Sequence, residues 1–137
     1  MAGTKRAVLA DAAGILAARD FAYEDVYVPE WRLTVRVRGM TGAQRDAFMA
    51  AIAKSDGRGG VKVDMSNRLA KFAIQVIVDA EGRRLFRDDQ IGELSAKSAA
   101  ALERIFSVGQ RLSGLSDEAV EALAKNSDGQ SDGSTTA

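Results

Sequence analysis

Between Val26 and Arg38 the apolar residues of this chain alternate with polar ones, first in DVYVP and again in RLTVRVR. Val26 and Val28, then Leu33, Val35 and Val37 set against Arg32, Thr34, Arg36 and Arg38, carry the period of two that a half-buried strand requires. Only Pro29 to Arg32 separate the two runs, so they pair as a hairpin, and proline, which has no amide to donate, belongs at the corner. A two-stranded ribbon is marginal in water. Whatever else the chain forms must therefore supply a surface for this ribbon to lie on.

The rest of the sequence supplies helices. DAAGILAA (11–18) opens on an aspartate able to accept from free helix amides, although Gly14 weakens the short helix that Asp11 starts. TGAQ (41–44) places a glutamine three residues after a threonine, the reciprocal cap that starts a helix over 42–54, with Ala47, Phe48, Ala51 and Ile52 on one side. SDGRGG ends it and reads as a mobile connector. Asp64 is placed to cap the next helix, where Leu69, Phe72, Ala73, Val76 and Ile77 fall at i, i+3, i+4, i+7 and i+8. The branched residues of AIQVIV favour a strand by propensity, but the periodic match favours a helix. DAEG (79–82) is a turn, succeeded by an extended RRLF.

Asp88 and Asp89 stand at the mouth of a short helix, where negative charge complements the helix dipole. Ser95 opens the longest helix, 96–112, whose stripe is Leu102, Ile105, Phe106, Gly109 and Leu112. Gly114 stops it, and Ser116 caps a last helix to about Lys125. The expected fold is α+β: mainly helical, with one N-terminal β-hairpin packed on helices. Residues 1–126 read as a single domain and 127–137, SDGQSDGSTTA, as a disordered polar tail.

The functional classes narrow by what is missing. The 137 residues include no histidine and no cysteine, which excludes disulfides, thiolate nucleophiles, serine–histidine–acid triads and the zinc sites built from those ligands. No GxGxxG, GxxxxGK[ST] or DxDxDG pattern occurs. DGRGG is not succeeded by lysine and serine or threonine, and of the acidic set Asp88, Asp89 and Glu93 helix-start electrostatics explain the first two without a metal. The expectation is no enzyme, no cofactor and no metal. Nineteen basic and nineteen acidic side chains cancel, leaving no overall field towards nucleic acid or an anionic membrane. No apolar run approaches the ~20 residues of a spanning helix, and Asp11 interrupts the apolar start, which argues against a secretory signal; a soluble cytoplasmic protein is expected.

Three features remain as partner-binding candidates. Arg36 and Arg38 share a strand face with Arg32 and could grip phosphates or carboxylates in forked geometry; a solvated face without aromatic stacking partners is the plainer reading. Trp31 serves equally as an anchor for a partner or as a cover for the core beside Pro29. The stripe of Leu102, Phe106 and Leu112 is most simply core, yet part of it could stay open for a partner helix. By elimination an interaction protein is favoured, with a small nucleic-acid-binding regulator using residues 32–38 as the alternative.

Three pieces in order, VYVPEWRLTVRVRGMTGAQRDAF, VIVDAEGRRLFRDDQIGEL and SAAALERIFSVGQRLSGLSDEAVEALAKN, resemble the tail-assembly chaperones of long-tailed bacteriophages, particularly the actinobacterial phage and prophage type. The shared pattern is a valine–proline–glutamate–tryptophan step at Val28 to Trp31, a basic strand at Thr34 to Arg38, Thr41–Gly42, a D-x-x-G turn at Asp79 to Gly82 with Leu85–Phe86 after it, and a leucine–serine–acid segment at Leu115 to Glu118. Arg32–Leu33 departs from it, since the family has glycines after the tryptophan. The resemblance implies a protein of the host cytoplasm that binds the tape measure protein, keeps it soluble while tail-tube subunits polymerise around it, and is absent from the mature virion. It also implies a longer form made by programmed frameshifting, with SDGQSDGSTTA similar to the short form's ending. A holdase of this kind needs exposed apolar surface and self-association and no chemistry. On that view Leu102, Phe106 and Leu112, partly open, carry client or self contacts, while the hairpin meets neighbouring copies.

Overall fold

The computed structural model describes residues 8–115. The expected ribbon is there: β1 (Tyr23–Val28) and β2 (Leu33–Arg38) pair antiparallel, with Val28 opposite Leu33 and Tyr23 opposite Arg38. Residues directly opposite share a face, so Val26, Val28, Val35 and Val37 point one way and Tyr23, Asp25, Tyr27, Arg36 and Arg38 the other. Val28 and Val37 are fully buried, which identifies the first of these faces as the one laid on the helices. The ribbon gains a third strand that the sequence did not announce. β5 (Ile77–Val78) pairs with Val37 and Arg36, giving the order β1-β2-β5.

Ahead of the sheet, α1 (Ala12–Ala17) is capped by Asp11, whose carboxylate accepts from the Gly14 amide at 2.8 Å; none of its residues is buried. After the sheet, α2 (Gly42–Ile52) starts with the reciprocal cap read from TGAQ: Thr41 accepts from the Gln44 amide and Gln44 accepts from the Thr41 amide, both at 2.9 Å. It ends two residues early, because β3 (Ala53–Ser55) pairs with β4 (Val61–Val63) in a second hairpin. The segment expected to be a mobile connector is the turn of that hairpin. The Asp56 carboxylate accepts from the Arg58 and Gly60 amides at 2.7 and 2.9 Å, and Gly57 and Gly59 take the left-handed angles the turn demands.

The third helix, α3 (Arg68–Val76), begins later than expected. Asp64 accepts from Ser66 instead of capping a helix, and Asn67 adopts a left-handed φ of 57° that delays the first turn. The two readings of AIQVIV divide the segment between them: it is helical to Val76, then Ile77 and Val78 form the added strand. The turn at Asp79–Gly82 is closed by Asp79, which accepts from Glu81 and Arg83 at 2.9 Å, and the chain returns past a bridge between Val78 and Arg84. A 3-10 turn (Asp88–Gln90) leads into α4 (Ile91–Ser95), and α5 (Ala99–Leu112) completes the described chain. Ser98 caps α5, not Ser95, whose hydroxyl is buried among the described residues without a hydrogen-bond partner. The expected helix from Ser116 and the tail at 127–137 lie outside the described residues.

The core is organised on α3. Phe72, fully buried, meets Phe48 of α2 at 5.3 Å and Phe106 of α5 at 4.7 Å between ring centroids, both edge-on, an arrangement that aromatic rings prefer. α3 and α5 approach closely because position 109 carries no side chain: a Cβ there would lie 2.6 Å from Phe72 Cε1. The architecture is thus α+β and mainly helical with the early hairpin packed on helices, as expected, enlarged by β5 and by the β3–β4 hairpin.

Candidate functional site

The structure redistributes the candidate residues. Leu102 and Phe106 are 3 % and 9 % exposed, members of the core cluster, and Leu112 packs against it. The expectation that this stripe stays partly open is therefore corrected for Leu102 and Phe106: Phe106 faces Phe72, and Arg68 lies over its ring at 5.1 Å. Leu112 stays partly exposed, and Leu102 borders a hollow of about 260 Å³ beside Met65 and Leu69.

Arg36 and Arg38 do share the solvent-side face of the sheet, but both are engaged within the chain. Arg36 holds Asp25 in the forked geometry, with bonds of 2.7 and 3.0 Å, and its guanidinium lies 4.1 Å above the Tyr23 ring. Hydrogen bonding by Arg36 holds the Asp25 carboxyl below its ordinary range. Arg38 donates to the Gly82 carbonyl at 3.2 Å and lies 4.5 Å above Phe21. The face thus carries aromatics that the sequence reading missed, supplied by the preceding segment and by the cross-strand neighbour of Arg38. Arg32 stands apart in the corner, with a φ of 54°.

Trp31 lies where an open surface exists. The corner Pro29–Arg32 is closed by Trp31 donating to Val28 and Arg32 donating to Pro29, at 3.1 and 3.3 Å. It is tied to α5 by Glu30, which accepts from Arg104 at 3.1 and 3.2 Å. Trp31, half-buried against the core, and Leu33, 60 % exposed, then stand at the corner end of the sheet edge. β5 reaches only as far as Arg36, so Leu33 to Val35 have a strand neighbour on the β1 side alone. The chain turns away at Asp79 and comes back as Leu85–Phe86, leaving a trough between itself and β2.

Two hollows of about 480 and 430 Å³ form that trough, and Trp31, Leu33 and Phe86 line both. The first continues along Val35, Val78 and Leu85; the second continues to Leu94 and is rimmed by Gln90, Glu93 and Lys97. Apolar walls, an unpaired strand edge and a polar rim are the ingredients of a protein-docking groove. The sequence pointed to Trp31 and missed Leu33, Leu85 and Phe86. Leu33 belongs to the inner face by its register with Val28, and its 60 % exposure at the corner end of β2, beyond the reach of β5, is invisible in the sequence. Among the described residues no group of three or more acidic, histidine or cysteine side chains could hold a metal. No helix among them is long and apolar enough to cross a membrane.

The chain matches no protein-family model and no curated protein. Among solved structures it is similar to the tail assembly chaperone of bacteriophage HK97, with a TM-score of 0.53 and 18 % identity, over 75 % of this chain and 93 % of that one. At that identity the likeness speaks for the fold: this chain shares the general fold of a phage tail assembly chaperone.

Proposed function

We propose that this chain is a tail-assembly chaperone of a long-tailed phage or prophage of the actinobacterial type. It binds the tape measure protein in the host cytoplasm, keeps that long helical ruler soluble while tube subunits polymerise around it, and leaves before the virion is mature. Copies of the chain associate with one another, and a frameshifted longer form accompanies the short one. The observation that carries this reading is the trough at Trp31, Leu33 and Phe86, set on a fold shared with the HK97 protein over most of both chains. A holdase works by covering apolar client surface reversibly, and a shallow apolar groove with a polar rim suits one face of an amphipathic helix. The engaged state of Arg36 and Arg38 argues against the nucleic-acid alternative.

The test is co-expression with the tape measure gene of the same genome. The tape measure protein should co-purify with the wild-type chain and be lost with Leu33→Asp, a change at an exposed position that leaves the helical circular dichroism intact. Equal recovery with both chains would overturn the assignment of the groove.

A further inference from the structure

Lys54 and Lys62 stand directly opposite each other in the β3–β4 hairpin. Such cross-strand neighbours share a face with their Cβ atoms ~5 Å apart, and like charges placed there weaken the pairing. A hairpin of three residues a strand is marginal to begin with. Within the chain the compensation is small: Lys54 reaches only Asp64, at 4.0 Å, and Arg58 and Lys62 have no ion-pair partner among the described residues. Lys71 of α3 adds a fourth cation at the base, since the Asp64 carboxyl is held below its ordinary range by hydrogen bonds from Ser66 and then by the charges of Lys54 and Lys71. Against these four stand Asp56, occupied by the turn amides, and Asp64, so two positive charges are left over. The other basic side chains without an ion pair among the described residues, Arg19, Arg32, Arg45 and Lys97, are spread singly along the chain.

We infer that the C-terminal segment of the same chain, residues 116–137, lies on the Lys54–Lys62 face of this hairpin. Two observations choose that occupant. The first is charge. The segment carries Asp117, Glu118, Glu121, Asp128 and Asp132 with a single lysine, Lys125, whereas residues 1–115 hold eighteen basic side chains to fourteen acidic ones. The zero net charge of the chain is thus a balance between two parts of opposite sign, and the hairpin is where unpaired positive charge is densest among the described residues.

The second is reach. Ser113 accepts from the Met40 amide at 2.9 Å, which fixes the end of α5 beside the start of α2. α2 has 11 residues, a length of ~16 Å, and runs directly into β3, so Lys54 and Lys62 lie at most ~35 Å from Ser113. The stretch from Leu115 to Asp132 spans up to ~55 Å, enough to lay its carboxylates along the hairpin. The tether also separates this segment from that of another copy: held so near, it acts at an effective concentration on the order of millimolar, above that of any second copy in dilute solution. Exposed ion pairs are individually weak and are screened by salt. The contact is therefore a latch that opens, leaving the hairpin free for an acidic stretch of a partner. It is independent of the trough and of the client reading above.

The chain contains no cysteine, so Ser131→Cys carries a nitroxide spin label at one place only. In isotope-labelled full-length protein at low salt, the label should broaden the amide signals of residues 53–63 and leave those of Leu85 and Phe86 sharp. At about 1 M salt, where charges are screened beyond ~3 Å, the broadening should vanish. Lys54→Glu with Lys62→Glu, both at exposed positions, should abolish it, and Lys54→Arg with Lys62→Arg should retain it. Should the charge reversal prevent the hairpin from forming, exchange of the five acidic residues of the segment for their amides tests the same contact from the other side and should abolish the broadening too. A mixture of spin-labelled chains without the isotope and isotope-labelled chains without the spin label should show none. Signals of 53–63 untouched by the label, or broadening that survives 1 M salt or the charge changes, would overturn the latch. Broadening in the mixed sample would transfer the contact to a second copy and overturn it as stated. A labelled oligonucleotide that binds the chain and is lost with Lys54→Glu and Lys62→Glu would overturn it in favour of nucleic acid.

Discussion

Arg36 and Asp25 face each other across β1 and β2 and are joined by two parallel hydrogen bonds, of 2.7 and 3.0 Å, above the ring of Tyr23. An arginine held this way has its donors directed at a carboxylate and one face on an aromatic ring, leaving little with which to grip a phosphate. The chain should therefore show no oligonucleotide binding at about 0.15 M ionic strength, where exposed charges more than ~8 Å apart are already screened. Fluorescence anisotropy with labelled single- and double-stranded oligonucleotides checks this. A binding constant that falls steeply with salt, as phosphate neutralisation requires, would favour the nucleic-acid alternative.

Gly109 and Gly92 should respond oppositely to alanine. The Cβ at 109 would meet Phe72 Cε1 at 2.6 Å, whereas nothing lies within 4 Å of one at 92. Overpacking should make Gly109→Ala less stable by about 1–3 kcal/mol. Gly92→Ala, in the exposed first turn of α4, should gain about 0.5–1 kcal/mol from reduced backbone entropy. Urea denaturation of the two variants measures both, and equal effects would mean that α3 and α5 do not pack through position 109.

Arg32 occupies a left-handed backbone conformation, φ 54°, at the position where the resembling family carries glycine. A side chain there costs ~1–2 kcal/mol, partly offset by the greater freedom glycine has in the unfolded chain. Arg32→Gly should raise the thermal midpoint by a few degrees. A lowered midpoint would show that the corner is shaped differently.

Phe106→Asp should unfold the protein outright, since it puts a charge into the Phe48–Phe72–Phe106 cluster. Phe106→Ala should cost about 3–5 kcal/mol. The far-ultraviolet circular dichroism of the two variants reads this directly, and a folded Phe106→Asp chain that had lost only its partners would restore the stripe on α5 as a docking surface.

Stability should fall on the acid side. Hydrogen bonds from Arg104 hold Glu30 below its ordinary 4.5, and those from Arg36 hold Asp25 below 3.8. Backbone amides do the same for Asp56 and Asp79 in their turns. Carboxylates with lowered folded values contribute stability that is fully present above the unfolded values and is lost as pH falls through the folded ones. The thermal midpoint should be level above about pH 5 and decline below about pH 4. Glu30→Gln should remove part of that decline, and a midpoint that rises on acidification would contradict the assignment.

How far the sequence could be read depended on whether a signal was local. The Thr41–Gln44 cap, the Asp11 cap, the Pro29 corner and the Asp79–Gly82 turn were legible because each is complete within a few residues. The Phe72 and Phe106 stripes were legible as helices, but a period does not say whether a stripe is covered, and only α3 packed against Phe106 decides between core and docking surface. β5 was hidden because two residues are too few for an alternation, and with it went the trough, which β5 and the returning Leu85–Phe86 wall on one side. The β3–β4 hairpin was obscured by its glycines, which signal a turn and a flexible connector alike; Asp56 decides for the turn.

The most direct test of the central claim is the fate of the tape measure protein when it is expressed with and without this chain. With the wild-type chain present it should stay in the soluble fraction and elute in complex with it, and Leu33→Asp should return it to the pellet. A tape measure protein that aggregates to the same extent in the presence of the wild-type chain would contradict the proposed function.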